Sequence, residues 1–135
     1  MGTQNRRLGS VQTVNDSFEN RRLSLQTELD AYKTIEERRK LGQFATPTLL
    51  ARDIVAYGLK HLSTPQNIRF LDPAFGTVAF YSALLEVAHY DDISEATAVE
   101  IDPLFANTAS NLWLDYGINI INDDLQNLCL MINTT

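Results

Sequence analysis

Between residues 68 and 124, short apolar runs that end beside an acidic residue alternate with segments of helical periodicity. Residues 68–71, 97–101 and 118–121 are patterned as buried strands, and residues 77–89 and 103–116 are patterned as helices. Alternating strands and helices predict a parallel sheet with right-handed crossovers, and such sheets bind ligands beyond the carboxyl ends of their strands. We therefore expect an α/β fold with a partial, Rossmann-like parallel sheet, preceded by N-terminal helices.

The N-terminal third of the chain carries a different pattern. Residues 1–15 are polar and show little periodicity, which predicts a mobile arm. From about residue 16 to residue 40, apolar side chains recur at spacings near three, four and seven, and this spacing predicts one helix. Its expected apolar face consists of Phe18, Leu25, Leu29, Tyr32 and Ile35.

Two short signals separate this helix from the next. Gly42 is typical of a residue at the C-terminus of a helix. Thr46 and Pro47 are predicted as the N-cap and the first-turn proline of a second helix, which runs to about residue 62.

The composition limits the class of protein. A chain of 135 residues buries roughly two-thirds of its unfolded surface, which predicts one core. Hydrophobic and charged fractions of 44% and 21% are typical of globular proteins. No apolar run approaches the roughly 18–20 residues that span a bilayer, and no hydrophobic signal region is visible. The single Cys129 is expected to fill the core. Together these features predict a cytoplasmic protein without a membrane partner.

The charge is distributed unevenly along the chain. Residues 1–43 hold eight Lys or Arg against six Asp or Glu, whereas residues 44–135 hold three against eleven. A protein that binds duplex DNA needs clustered cations, so this chain alone is expected to bind DNA poorly. The mixed charges of residues 36–40 are interpreted as a solvated helix end rather than a nucleic-acid patch.

Three carboxylates occupy equivalent positions at the ends of the predicted strands. Asp72 follows the first strand, Glu100 ends the second, and Asp123 follows the third. A carboxylate after the second strand can accept both ribose hydroxyl hydrogens, and Gly76 allows a ligand to approach the main chain. Gly76 alone indicates no more than a turn, but together with Glu100 and Asp123 it indicates an adenosine site. An NAD site is disfavoured because three spaced glycines are absent and the carboxylates would repel a pyrophosphate.

Four motifs occur in a specific order: LGQFATP at residues 41–47, LDPAFGT at 71–77, AVEIDP at 98–103 and NDDL at 122–125. In this order they resemble the adenine-N6 DNA methyltransferases of bacterial restriction-modification systems. The resemblance covers about residues 35–125 and implies S-adenosylmethionine as the cofactor.

The resemblance also implies roles for individual residues. Gln43 and Thr46 would close over the methionine end of the cofactor, and Asp72 would lie near its amino group. Ala74 and Gly76 would line the cofactor loop.

At the adenosine end, Glu100 would hold the ribose hydroxyls, Ile101 would pack against the adenine ring, and Asp123 would accept a hydrogen from the exocyclic amine. Pattern and resemblance together predict three parts: a mobile arm (1–15), N-terminal helices with the cofactor-closing motif (16–62) and a truncated cofactor-binding domain (63–135).

Position 78 departs from the family pattern. The family has a second glycine two positions after Gly76, where this chain has Val78. Either Val78 adds bulk where the helix meets the cofactor, in which case Val78→Gly would tighten binding, or Val78 is already helical and points into the core.

A second departure concerns catalysis. The family's catalytic motif, Asn or Asp followed by two prolines and an aromatic residue, does not occur in the sequence, since none of the four prolines adjoins another. We therefore predict no catalytic residue, and no metal ligand, in this chain. DNA would be contacted through a missing C-terminal part or through a partner chain.

In the family's usual sheet order, residues 68–71 would form an unpaired edge, which predicts self-association or a partner that supplies the remaining strands. Alternatively, the residues after Asp124 form a helix that covers the exposed face.

Three functions remain open from the sequence. The first is a truncated adenine-N6 DNA methyltransferase that is inactive alone. The second is a non-catalytic module that captures adenosine ligands or docks on a partner. The third is a methyltransferase fragment that acts on RNA, protein or a small molecule, because the cofactor half of such a fold does not identify the acceptor.

Overall fold

The computed structural model of the chain describes the backbone of residues 7–133 and the side chains of residues 18–131. Helices and three parallel strands form an α/β fold that is compatible with a Rossmann-like architecture. The elements occur along the chain in the order α1 (Arg7–Ala31), α2 (Ile35–Lys40), α3 (Thr48–Lys60), β1 (Ile68–Asp72), α4 (Ala79–Val87), a 3-10 turn (Tyr90–Asp92), β2 (Ile93–Glu100), α5 (Pro103–Leu112), β3 (Asn119–Asn122) and α6 (Leu125–Asn133).

The sheet has the order β1-β2-β3, and both pairs of strands are parallel, as the sequence predicted. Phe70 pairs with Ala96, and Ala98 pairs with Ile120. Because successive side chains of a strand point to opposite faces, these four side chains lie on the same face of the sheet. Among the described residues β1 pairs with β2 alone, and the predicted edge strand is therefore confirmed.

One face of the sheet packs against helices to form the core. The core joins β1 and β2 to the buried faces of α4 and α5, and the ring of Phe18 brings α1 into the same cluster. Phe18 lies 4.4 Å from the ring of Trp113 and 4.5 Å from that of Tyr116. Tilted aromatic pairs of this kind stabilise the fold beyond their buried area, so they anchor α1 to the α/β unit.

The N-terminal helix differs at both ends from the prediction. It begins at Arg7, so residues 7–15, which were expected to form a mobile arm, are helical, and the rest of that predicted arm lies outside the described residues. No proline interrupts this stretch, and extending a helix that is already nucleated costs little.

The single helix predicted to residue 40 is divided in two. α1 ends at Ala31, and Thr34 starts α2 through a capping box in which its hydroxyl accepts from the N–H of Glu37 and the Glu37 carboxylate accepts from the N–H of Thr34. Because of this break, Tyr32 is 78% exposed and Ile35 is exposed, although both were predicted on the buried face.

The start of α3 is shifted by one residue from the prediction. Gly42 follows α2 with a φ of 64°, the left-handed conformation expected after a helix. The N-cap of α3 is Pro47, so the prediction of Thr46 as the N-cap is wrong. The carbonyl of Pro47 already accepts the first bond of the helix, from the N–H of Ala51, which leaves Thr46 one residue before the cap.

The remaining bounds differ from the predictions by a few residues. β2 begins at Ile93, earlier than predicted, and α5 ends at Leu112 rather than at Tyr116. The residues after Asp124 form the helix α6, as one alternative predicted, whereas its cover over the exposed face of the sheet stays a prediction. Cys129 is exposed there, and its predicted place in the core is wrong. Within residues 7–133 there is no helix whose length and apolar character would suffice to cross a bilayer.

Candidate functional site

A cavity of about 200 Å³ lies at the carboxyl ends of the strands. Its walls come from the segment before α3, the turn after β1, the end of β2 and the start of α6. Seven of the eight residues predicted to bind a cofactor line it: Gln43, Thr46, Ala74, Gly76, Glu100, Ile101 and Asp123. The eighth, Asp72, does not reach the wall.

Glu100 is the buried carboxylate of the cavity wall. Its Oε2 accepts from the backbone N–H of Gly76 over 3.0 Å, and its Oε1 accepts from the N–H of Asp102 over 2.9 Å. Burial raises the pKa of Glu100, and the N–H of Gly76 and the charge of Lys33 offset this rise only in part. Because each carboxylate oxygen has two acceptor positions, both oxygens can accept a further hydrogen bond from a ligand.

The turn after β1 brings its main chain to the cavity. Gly76 has a φ of 55°, which is unfavourable for a residue with a Cβ atom. No atom lies within 4 Å of the position that a Cβ atom would occupy there, so the glycine is needed for its backbone conformation and leaves the main chain open to a ligand. The N–H of Phe75 donates to the carbonyl of Val99 and so holds the turn against β2.

Asp72 lies behind this turn rather than at the cavity. Its Oδ1 accepts from the N–H of Ala74 over 3.2 Å, whereas its Oδ2 is buried and has no hydrogen-bond partner within the described part of the chain. Burial raises the pKa of Asp72, and the nearby charge of Glu100 raises it further. Asp72 therefore stabilises the turn through Ala74 and interacts electrostatically with Glu100 without lining the cavity.

The adenine end of the predicted site is also on the wall. Ile101 is 51% exposed and offers an apolar surface to the cavity. Oδ1 of Asp123 accepts from the N–H of Asp124 over 2.7 Å and from the side-chain amide of Asn127, which fixes the orientation of the carboxylate. The carboxylate of Asp123 can accept a further hydrogen bond through Oδ2.

Gln43 anchors the segment before α3 across the cavity. Its Nε2 donates to Oδ2 of Asp102 over 2.7 Å, and its Oε1 accepts from Nζ of Lys33 over 3.1 Å. Lys33 also pairs with Asp102, and its ammonium group lies 5.3 Å from the centre of the Phe105 ring. Gln43 is thus buried and hydrogen-bonded to the protein in this conformation.

Val78 matches neither alternative completely. Its side chain is fully buried in the core, so the expected bulk against a cofactor is absent from the cavity wall. Its backbone is not helical, however, because φ is 65° and ψ is 47°. A β-branched residue in this left-handed conformation is strained, and Val78 forms the N-cap of α4 in that state.

Several wall residues were missed by the sequence argument. Gln26 of α1 reaches the cavity, and Phe44, Phe75, Phe80 and Phe105 add aromatic side chains to its wall. Phe44 lies within the LGQFATP motif and could have been identified there. Gln26 comes from a distant helix, and no local pattern in the sequence indicates its contact.

The chemistry of the wall is acidic and apolar. Glu100, Asp123 and Asp124 line the cavity, and among the described residues no Lys or Arg does so. Across residues 18–131, no cluster of three or more His, Cys, Asp or Glu side chains could hold a metal ion. Such a cavity suits a ligand that donates hydrogen bonds and is neutral or cationic. No protein-family model matches the chain.

Proposed function

We propose that the cavity binds S-adenosylmethionine and that the chain is the cofactor-binding part of an adenine-N6 DNA methyltransferase. The observation that carries this proposal is the joint placement of Glu100 and Asp123 on the wall of one cavity, beside the glycine turn. Glu100 would accept from the ribose hydroxyls, and Asp123 would accept from the adenine amine. Ile101 would pack against the purine.

The charge of the wall favours this ligand over a phosphorylated one. S-adenosylmethionine carries a sulfonium, an ammonium and a carboxylate group and is positive overall, and the carboxylates of Glu100 and Asp123 attract positive charge. A nucleoside phosphate would meet these carboxylates with no cation on the described wall to compensate. The buried carboxylate of Asp72 adds to the same negative field.

The cavity must widen before it can hold this ligand. Sites for small molecules usually have volumes of roughly 300–1,000 Å³. The cavity of about 200 Å³ is smaller than these sites. Residues 41–46 line the cavity and are held by the side chain of Gln43, so we propose that this segment moves outward when the ligand binds.

Methyl transfer to DNA needs groups that the sequence does not contain. The target adenine must leave the base stack, lie against an aromatic side chain and have its amino hydrogens held by acceptors. The family supplies these acceptors from its proline-containing catalytic motif, which residues 1–135 lack. We therefore propose binding without transfer for this chain, and a partner or further segment for the reaction itself.

Isothermal titration calorimetry tests the proposal. S-adenosylmethionine and S-adenosylhomocysteine should each bind with one site per chain, and NAD and ATP should not bind. Glu100→Gln should weaken binding about tenfold, the scale of one charge-assisted hydrogen bond. Glu95→Gln is the matched control, because Glu95 is an exposed carboxylate on the same strand. Equal binding by all four ligands, or equal affinities of the two variants, would exclude the proposed site.

A methylation assay separates the two leading functions. Incubation of the chain with S-adenosylmethionine and mixed-sequence DNA should leave the adenines unmethylated while the cofactor binds. Transfer of methyl groups by the chain alone would contradict the proposal of binding without catalysis, and transfer to RNA or protein would favour a different acceptor.

We also propose that β1 mediates self-association with a second copy of the chain. β1 is an edge strand, and its residue Leu71 is 61% exposed. An edge strand with an exposed apolar side chain tends to pair with another strand, and since the charge of Arg69 on β1 is paired with Glu95, a new unpaired charge at position 71 should oppose the pairing. Light scattering should therefore detect dimers at high concentration that Leu71→Lys abolishes, and a monomer at every concentration would contradict this proposal.

A further inference from the structure

A buried ion pair on α1 contacts both sides of the cavity without lining it. Arg22 is 1% exposed, and its Nε and Nη2 donate to the two carboxylate oxygens of Glu19 over 2.8 and 2.7 Å. Neither residue is part of the cavity wall. The pair is one turn apart on the helix, and it faces the α/β unit rather than solvent.

The carboxylate of Glu19 collects hydrogen bonds from three separate elements. In addition to the two donors of Arg22, it accepts from the hydroxyl of Thr48 over 2.8 Å and from the hydroxyl of Ser82. A carboxylate has about four acceptor positions, and four donors fill them. Burial alone would raise the pKa of Glu19, but the hydrogen bonds from Arg22, Ser82 and Thr48 outweigh burial and lower it.

Thr48 connects this network to one wall of the cavity. It is the first residue of α3 and directly follows the segment that contains Gln43 and Thr46. The hydrogen bond from Thr48 to Glu19 therefore fixes the C-terminal end of that segment to α1.

Arg22 connects the network to a second part of the cavity wall. Its Nη1 donates to the hydroxyl of Thr77 over 3.0 Å, and the same hydroxyl donates to the side-chain carbonyl of Gln26. Thr77 belongs to the turn that contains Gly76, and both Thr77 and Gln26 line the cavity. The turn after β1 and the start of α3 are thus attached to a single ion pair.

Burying an ion pair costs free energy, because both charges must be desolvated. Apolar side chains of similar volume therefore often give equal or greater stability. A fully hydrogen-bonded pair fixes geometry, however, in a way that apolar packing does not, since each bond has a preferred direction. Its position between two walls of one cavity indicates a role in setting their separation.

We propose that Glu19 and Arg22 are positioning residues, which fix the C-terminal end of the segment before α3 relative to the turn at Gly76. This role rests on the function proposed above for the cavity. Neither side chain touches the ligand, and both act through Thr48 and Thr77. Loss of the pair therefore loosens both walls, even when the protein remains folded.

The test replaces the pair by apolar side chains in the full chain, as Glu19→Leu combined with Arg22→Met. The fluorescence of Trp113, the only tryptophan, reports whether the variant folds. Amide hydrogen exchange of the ligand-free protein reports on the walls. The exchange of residues 41–48 and 73–78 should accelerate about tenfold, the scale of losing one charge-assisted hydrogen bond, while that of β2 is unchanged.

Two further variants sharpen the result. Thr48→Val removes one hydroxyl and should accelerate exchange in residues 41–48 alone, which keeps the test decisive if the double variant does not fold. The control is Arg69→Met with Glu95→Leu, which removes an exposed ion pair between β1 and β2 and should leave both walls unchanged.

The two proposals fail in different ways. If exchange of both walls in the double variant, and of residues 41–48 in Thr48→Val, stays within about twofold of the wild type, the positioning role is overturned. If the walls loosen but the wild-type chain does not bind S-adenosylhomocysteine, the positioning role stands and the proposed ligand is wrong. If both proposals hold, the folded double variant binds that ligand about tenfold more weakly.

Discussion

The backbone N–H of Gly76 donates a hydrogen bond of 3.0 Å to Oε2 of Glu100. This contact joins the turn after β1 to the end of β2 and orients the buried carboxylate toward the cavity. Glu100, which would hold a ribose, and the turn at Gly76, which would approach the ligand, are therefore joined by a direct hydrogen bond. A change in either residue is expected to disturb both.

Asp72→Asn tests the cost of the buried carboxylate behind the turn. The pKa of Asp72 is raised in the folded protein, so protonation of Asp72 stabilises the fold at acidic pH. This stabilisation is lost as the pH rises from the ordinary pKa of an aspartate to the raised pKa. The asparagine variant cannot ionise. It should be more stable than the wild type at neutral pH by on the order of 1 kcal/mol, because a neutral amide costs less to bury than a carboxylate.

Thermal unfolding followed by Trp113 fluorescence between pH values near 3 and 8 measures this effect. The difference between Asp72→Asn and the wild type should vanish at acidic pH, where both side chains are neutral. Asp53→Asn, at an exposed position of α3, is the control. If Asp72→Asn is less stable than the wild type at neutral pH, the ionised carboxylate of Asp72 does not destabilise the folded protein.

Val78→Gly and Val78→Ala test the strain at the start of α4. At an ordinary helical position glycine is less stable than alanine by roughly 1 kcal/mol. At Val78 the left-handed backbone favours glycine by about the same amount or more, so Val78→Gly should be at least as stable as Val78→Ala. Both should be less stable than the wild type, because each loses buried side-chain volume.

Urea unfolding gives these free energies, and the same pair of substitutions at Val55, inside α3, provides the comparison. If the alanine variant is more stable than the glycine variant at both sites, Val78 is not strained. Affinity for S-adenosylhomocysteine should be nearly unchanged in Val78→Gly, since Val78 does not line the cavity. Tighter binding would support the first sequence-based alternative instead.

Gln43→Ala tests the anchor of the segment from Leu41 to Pro47. The variant loses the hydrogen bonds that Gln43 makes with Asp102 and Lys33. Limited proteolysis should cut this segment faster, and ligand association should accelerate about tenfold, because a hydrogen bond to a charged group no longer has to break before the segment moves outward. Gln66→Ala changes an exposed glutamine and should alter neither rate. Cleavage at the wild-type rate would show that Gln43 does not hold the segment.

Local sequence patterns were sufficient for the parts of the fold that depend on neighbouring residues. The apolar run before Asp72 forms β1, and Gly42 adopts the left-handed conformation after α2. Because parallel strands present their carboxyl ends at one edge, Glu100 and Asp123 could be placed at one cavity before their contacts were known.

The features that sequence reasoning missed depend on tertiary contacts or on competing local signals. Thr34 and Glu37 form a capping box that divides the predicted helix, and its T-x-x-E pattern was visible in the sequence. Arg22 lies on the buried face of α1, where Thr77 accepts a hydrogen bond from it. Thr77 is fifty-five positions away in the sequence, so no local pattern reveals this contact. Val78 is left-handed because the turn and core packing outweigh its own preference.

A crystal structure of the chain with S-adenosylhomocysteine is the decisive experiment for the proposed site. The ligand should lie in the cavity between the turn at Gly76 and the start of α6, with a ribose oxygen within about 3 Å of the Glu100 carboxylate and the adenine against Ile101. The segment that carries Gln43 should lie farther from β2 than it does without ligand. A cavity that stays empty at saturating ligand, or a ligand bound elsewhere, would refute cofactor binding at this site.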